Sequence, residues 1–459
     1  MVRIHIRPAC FVVITSWLVI FLAGCKKFTV IDSPADRIQT SELFTNDETA
    51  TSAVTGLYYR VGSGLFPCNG AELLCGSLSS DELVTTSLNT SFDPFRLNSL
   101  TADNNILSGN LWKPAYNFIY QINAAIEQLT ISTSVTESVK NQLLGEMYFM
   151  RALCYFYLVN FFGDVPLVTV TDYTITAQRG RDPVEDVYAQ ILSDLTTAAQ
   201  VLPVAYPSAN RARPNHYTAL SLLARVYLYL QNWPKAAAAA SEVIASGLYK
   251  LEEDPAAVFQ LNSGETIFQL AKDNGNTGIG IYLIPFFASF KPSYAITDTL
   301  YQAFELGDAR KDRWIKTVTI GGKEYHYPFK YTSRLLTPVT EYYIELRLAE
   351  QYLIRAEARA ELNDLTGATA DLNKVKERSQ LPAVQTTNQD SLQTAIFHER
   401  QTELFCEGGH RWLDLKRSGM ASLVLGKLKG ANWQSTDLLY PIPIEELRRN
   451  PHLVQNPGY

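Results

Sequence analysis

Ile396-Phe397-His398-Glu399-Arg400-Gln401-Thr402-Glu403-Leu404-Phe405-Cys406-Glu407-Gly408-Gly409-His410-Arg411-Trp412-Leu413-Asp414-Leu415-Lys416-Arg417-Ser418-Gly419 reads as a helix stopped by glycine and followed by a tight aromatic turn. In an α-helix Glu399 and Glu403 share a line with Leu392, Ala395 and Ile396, so the apolar stripe carries two carboxylates. A carboxylate that faces a core has to be paired. Arg411, Lys416 and Arg417 follow beyond Gly408-Gly409, a pair able to take the left-handed conformation that ends a helix, and are expected to fold back onto the two acids. Cβ atoms at i and i+4 lie about 6 Å apart, near the separation of a glycosidase acid pair. The cations argue against that chemistry, because they hold both acids ionised and leave no general acid of raised pKa. Glu399, Glu403, Arg411 and Arg417 are therefore expected to form a structural ion network that locks the C-terminal helix to its neighbours.

Working outward, 459 residues are enough for a large core, and 46% hydrophobic with 19% charged residues is ordinary globular composition. The formal charge is −6 and no basic run occurs, which excludes nucleic acid as a partner. Residues 1–24 place Arg3 and Arg7 before an apolar run from Ala9 to Leu22. That run is shorter than the roughly 20 helical residues a bilayer requires and is built like a cleaved secretory signal. Removing its two arginines takes the charge to −8. The run ends in Leu22-Ala23-Gly24-Cys25, which resembles a bacterial lipoprotein box, with Cys25 the lipidated first residue of the mature chain. Acyl chains contribute about 0.8 kcal/mol per buried CH₂, so several on one cysteine make a durable anchor.

Of the remaining cysteines, Cys68, Cys75, Cys154 and Cys406 follow no zinc spacing, and no metal or other cofactor is expected. Cys154 lies in an apolar helix as a small core residue. Cys68 and Cys75 share one loop, where a disulfide and two free thiols are both open.

From Leu111 the helices come in pairs. Trp112, Tyr116, Ile119, Asn123 and Ile126 recur at helical spacing, with Pro114 in the first turn, and Trp112 is read as core. The partner helix runs from near Thr136 to Gly163. Asp182-Pro183-Val184-Glu185 is a helix start, with Asp182 expected as the N-cap. The segment Ala219 to Ala236, turning at Asn232-Trp233-Pro234, has the small-residue spacing of a tetratricopeptide repeat, and the pattern returns over Leu348–Asp364. One such pair cannot bury its apolar face alone, so at least about three must stack. The fold class expected is mainly α: a tetratricopeptide-like helical-repeat scaffold with long irregular loops and a few short strands.

The opening block, the pairs carrying Arg347-Leu348-Ala349-Glu350 and Ala356-Glu357-Ala358, and the tail Tyr440-Pro441-Ile442-Pro443 with Asn450-Pro451 and Gln455-Asn456-Pro457-Gly458-Tyr459 are together similar to the SusD/RagB family of Bacteroidetes nutrient-binding lipoproteins. The resemblance covers nearly the whole mature chain, residues 25–459, as one domain. It implies an outer-membrane, lipid-anchored and surface-exposed protein that binds glycan and delivers it to a SusC-like TonB-dependent transporter. Lys26 and Lys27 follow Cys25, where some surface-exported lipoproteins of these bacteria carry acids, so the membrane face stays open.

Two regions lack helical period, about 62–101 and 262–340. The second holds an expected strand at Glu265–Leu270, and Gly321-Gly322 before Lys323 suits a hairpin turn rather than a phosphate loop. Long loops on a rigid scaffold carry function. Aromatic rings edged by polar groups suit the C–H faces and hydroxyls of sugars, so Phe92, Phe95, Tyr282, Phe286, Phe287 and Tyr294 are the candidate ligand-binding residues. No nucleophile elbow, paired metal-ligand spacing or phosphate loop marks an enzyme, and no catalytic residue is assigned. Glycan capture is therefore favoured over peptide capture by the same fold, and both over a protein-binding helical adaptor.

Overall fold

Alanines at the contact lines let the helices approach closely, and the architecture follows from that. The computed structural model describes residues 40–62, 70–272, 275–335 and 337–459. The chain divides into a unit ending at Leu43, of which the turn Thr40–Leu43 is described, and a second unit from Phe44 to Tyr459. The leader 1–24, Cys25 and Cys68 lie outside the described residues.

The second unit runs α1 (Asp47–Gly62), α2 (Ala71–Ser79), β1 (Leu83–Thr85), α3 (Asp93–Leu97), α4 (Lys113–Ile131), α5 (Glu137–Phe162), α6 (Val184–Val201), α7 (His216–Tyr229) and α8 (Trp233–Ala245). Then follow β2 (Thr266–Leu270), α9 (Ile279–Leu283), β3 (Tyr294–Ile296), α10 (Asp298–Ala303), α11 (Ala309–Trp314), the hairpin β4 (Ile315–Ile320) and β5 (Lys323–Pro328), and β6 (Tyr343–Arg347). It closes with α12 (Leu348–Glu361), α13 (Leu365–Arg378), α14 (Gln389–Glu403), α15 (His410–Arg417), α16 (Ala421–Lys429) and α17 (Ile444–Arg449).

Helices α4 to α8 pack in succession, α8 packs on α12, and α12 on α13 and α14. The chain thus leaves the stack after α8, builds the β-containing insert, and rejoins at α12. At the α7–α8–α12 junction, Ala224, Ala236, Ala239, Ala240 and Ala358 meet Leu228 and Ile354. Both repeat turns use one device: a left-handed residue, Gln231 or Asn363, precedes a side-chain cap, Asn232 on the Lys235 amide or Asp364 on the Gly367 amide. The fold is mainly α and tetratricopeptide-like, with three two-stranded antiparallel sheets among the described residues, β1–β3, β2–β6 and β4–β5.

Two expectations are corrected. Pro183, not Asp182, caps α6; the Asp182 carboxylate instead accepts the Leu167 amide at 2.7 Å, in an extended bridge with Val165. Region 62–101 also contains α2, every residue of which is buried. A helix covered on all sides has no polar face, and so no period to read. It enters the core through glycine: a Cβ on Gly76 would lie 2.6 Å from the Cα of Gly409, at the start of α15. The Cys75 thiol is free and buried there, and Trp112 is core, edge-on to Phe162 at 5.1 Å.

Candidate functional site

Glu399 and Glu403 project from α14 into a closed ion network. Arg310 Nη1 donates to Glu399 at 2.6 Å and to Glu403 at 2.8 Å. Arg347 donates to Glu403 at 2.5 Å and to both oxygens of Glu407, and Arg378 to Glu403 and Glu265. Burial raises both acids, but at Glu403 the guanidiniums of Arg378, Arg347 and Arg310 outweigh it and hold the carboxyl well below the usual range. At Glu399 burial wins over Arg310 and the pKa is raised, so the cations do not treat the two acids alike. Both side chains are buried within this network.

Arg411 and Arg417 do not join them. Arg411 grips both oxygens of Asp81 at 2.7 and 2.8 Å, Arg417 binds Asp414 and Glu357, and Lys416 donates to the Asn160 carbonyl. The helix stops at Glu403, and left-handed Cys406, Gly408 and Gly409 re-aim α15 away from the two glutamates. The cations that do serve them, Arg310, Arg347 and Arg378, come from the insert and from α13, which short-range spacing could not reveal.

The accessible site lies on the opposite kind of surface. Strands β1 and β3, the β4–β5 hairpin, α3 and the end of α16 enclose a cleft of about 780 Å³. Its wall includes Thr85, Thr86, Arg96, Asp298, Tyr325 and His326. Gly321 and Gly322, with φ of 58° and 79°, make the two-residue turn that pairs Ile320 with Lys323 and presents Tyr325 and His326. His326 stacks flat on Tyr301 at 3.6 Å, with Lys311 3.9 Å from the same tyrosine ring, and its Nδ1 meets the Thr317 hydroxyl at 2.8 Å. Burial lowers the His326 pKa, partly offset by Glu324 and Asp298, so the imidazole is neutral at pH 7. The near wall is pinned by Asp93, which accepts the Asn89 amide at 2.9 Å and the Thr85 hydroxyl.

An aromatic ridge adjoins this cleft. Phe286, Phe287 and Phe290 are 67%, 55% and 51% exposed and pack edge-to-face at 4.6 and 4.9 Å, with half-open Tyr282 just before them. Arg334 holds the ridge in place by donating to the Ile281 and Ile284 carbonyls while lying 5.4 Å from the Phe286 ring. Gly280 admits the close approach, since a Cβ there would collide with the Ser333 carbonyl oxygen. Ridge and cleft share one strand of chain: Phe290 is followed by Lys291, whose ammonium stands 5.4 Å from the Tyr325 ring, and Thr86 bonds to the Pro292 and Ser293 carbonyls.

The six candidate aromatics therefore divide. Tyr282, Phe286 and Phe287 are on the ridge and face solvent. Phe95 and Tyr294, expected against ligand, are buried at 1% and 4% exposure, because α3 and β3 form the floor under the cleft. Phe92 is half-buried, edge-on to Tyr294 at 6.1 Å and 6.3 Å from Phe95. Tyr325, His326 and Arg96 were missed. The Lys323-Glu324-Tyr325-His326 segment right after the Gly-Gly turn was the available signal, since hairpin strands alternate their faces.

Comparison with known proteins completes the picture. Residues 52–228 match the family model described as "Starch-binding associating with outer membrane", and residues 323–459 match the SusD family model. The chain is 25% identical to SusD-like protein P25 of Formosa agariphila, over 98% of this chain and 99% of that one. A SusD superfamily structure from Bacteroides vulgatus superposes with a TM-score of 0.80 over 90% of this chain and 99% of its own, at 20% identity. A laminarin-binding SusD-like protein superposes at 0.77, 26% identical, over 91% and 100%. With matching models at both ends of the stack, and a relative aligned from end to end, this chain belongs to the SusD/RagB family.

Proposed function

We propose that this protein is a lipid-anchored outer-membrane binding protein that captures an oligosaccharide and hands it to a SusC-like TonB-dependent transporter, without hydrolysing it. The observation that carries the reading is the junction of an exposed aromatic ridge with a polar cleft of about 780 Å³ at Lys291–Tyr325. Ring faces take the C–H surface of a pyranose, and Thr85, Thr86, Arg96 and Asp298 supply hydroxyl partners along the wall. The laminarin-binding neighbour and the starch-binding family description support the ligand class. Family membership supports the outer-membrane location and the transporter partner. The lipid anchor rests on Leu22-Ala23-Gly24-Cys25 alone, and among the described residues no helix is long and apolar enough to cross a membrane.

A peptide ligand is the second reading. It is favoured by a groove of about 530 Å³ between α6, α7 and α8, lined by Leu220, Leu223 and Tyr227 with His216 and Glu242 at 3.6 Å. Calorimetry of the detergent-solubilised chain against neutral and charged oligosaccharides and against peptides decides between them. Saccharide binding lost on substituting Tyr325 supports the proposal, and peptide binding alone overturns it.

A further inference from the structure

The cleft gathers cations in a chain whose formal charge is −6. Lys323 opens β5 and Lys291 precedes β3; both are exposed, and their ammonium groups stand 5.2 and 5.4 Å from the centroid of the Tyr325 ring. Among the described residues neither has an ion-pair partner. Arg96 reaches Asp93 through Nη2 at 3.6 Å, while its Nε is buried with no acceptor among the described residues. Lys429, deeper in the wall, donates to uncharged oxygens: the Ser79 carbonyl at 2.5 Å, the Asn98 carboxamide at 2.8 Å and the Leu78 carbonyl at 3.5 Å. Against these stand two exposed acids, Asp298 and Glu324, and the neutral His326.

Two ammonium groups drawn to one ring repel each other, and in water lysines of this kind spread apart or pair with carboxylates. Here both stand against the ring on which a sugar would stack. A ring lying on Tyr325 places its substituents at the ring edge, within reach of Lys291 and Lys323, which have no ion-pair partner among the described residues. Resting on the oligosaccharide reading above, we infer that the cleft selects an anionic glycan, one bearing carboxylate or sulfate ester groups. Tyr325 is the stacking face, and Lys291, Lys323 and Arg96 recognise the charge. Charge-assisted hydrogen bonds are about twice as strong as neutral ones, and because Lys291 and Lys323 are exposed that advantage is sensitive to salt.

The test is calorimetry of the detergent-solubilised chain with three probes: oligogalacturonate for carboxylate, sulfated dextran oligosaccharide for sulfate ester, and laminarin oligosaccharide as the neutral control. One charged probe is expected to bind about tenfold or more tightly than laminarin at low salt, with the advantage shrinking as NaCl rises. Lys291→Gln together with Lys323→Gln should remove about tenfold of the charged probe's affinity, weaken any laminarin binding far less, and leave the melting temperature unchanged. Laminarin binding as tightly as both charged probes overturns the inference while the glycan reading stands. Charged-probe binding that ignores the double variant overturns it too, because the anion is then held elsewhere. If no saccharide binds, the glycan reading itself fails.

Discussion

Arg310 contributes a single nitrogen, Nη1, to two carboxylates, and its contact with Glu403 at 2.8 Å makes Glu403 the point where three guanidiniums meet. Arg378 and Arg347 donate to its other oxygen, and all three arginines are buried. Glu403→Gln removes the charge that balances them. Breaking a buried pair from one side typically costs about 3–5 kcal/mol, because the stranded charge stays out of water. Thermal and chemical denaturation should show a loss of that order with saccharide affinity preserved, since Glu403 does not line the cleft. An unchanged midpoint would refute the structural assignment.

Glu72 supplies a pH dependence of known sign. It is buried in α2, where burial, with Glu345 adding to it, pushes its carboxyl from 4.5 to about 8. Between those values the unfolded chain has released the proton and the folded chain keeps it, so this group's contribution to stability falls as pH rises through the window. Glu72→Gln copies the neutral carboxyl and should flatten the decline by a few kcal/mol. Denaturant midpoints of both proteins at pH 5 and pH 8 check this. Parallel pH profiles would mean that Glu72 ionises normally.

Cys25→Ala should move the protein from the membrane pellet to the soluble fraction with an unchanged melting curve, because the acyl chains are the anchor that the sequence offers. Intact mass of the wild-type protein is the companion measurement. A mature chain that starts elsewhere, or that carries no lipid, removes the basis for the anchor.

The helix stack was legible because small residues at helical spacing leave a local record, as in Ala219–Ala236 and Leu348–Asp364. So was the Gly321-Gly322 hairpin, which two adjacent residues specify. The ion network was legible as a need and not as a set of partners. Two acids on an apolar stripe must be paired, but Arg310 and Arg347 lie 93 and 56 residues from Glu403, and Arg411 is nearer in sequence yet bound to Asp81. The ridge could be found as a run of rings, whereas its separation from buried Phe95 and Tyr294 depends on β1 pairing with β3 across the insert. Long-range pairing of this kind leaves no local period.

Gly280→Ala tests whether the ridge must keep its position. Its Cβ would overlap the Ser333 carbonyl oxygen, so α9 must shift away from the segment that Arg334 anchors. The stack lies elsewhere and should melt almost normally. Saccharide affinity should drop severalfold as the rings are displaced. Unaltered binding would show that the ridge lies outside the binding surface.

The aromatic residues themselves give the sharpest separation, because exposure predicts opposite outcomes on one pair of measurements. Phe95→Ala and Tyr294→Ala empty sites beneath the cleft and should each lower stability by about 3–5 kcal/mol, the usual consequence of truncating a buried ring. Phe286→Ala and Phe287→Ala remove rings that are more than half exposed and should leave the melting temperature close to that of the parent. If either ring stacks on sugar, its loss weakens binding by about 1 kcal/mol, a severalfold change. Tyr282→Ala belongs with this second pair, and Phe92→Ala, half-buried on Tyr294, should lose some of both. Calorimetric affinity and melting temperature measured on all six variants therefore sort five of them into two groups, with Phe92 between. If the Tyr282, Phe286 and Phe287 variants all bind like the parent, saccharide contacts the Tyr325 cleft without the ridge, and the exposed rings serve some other surface.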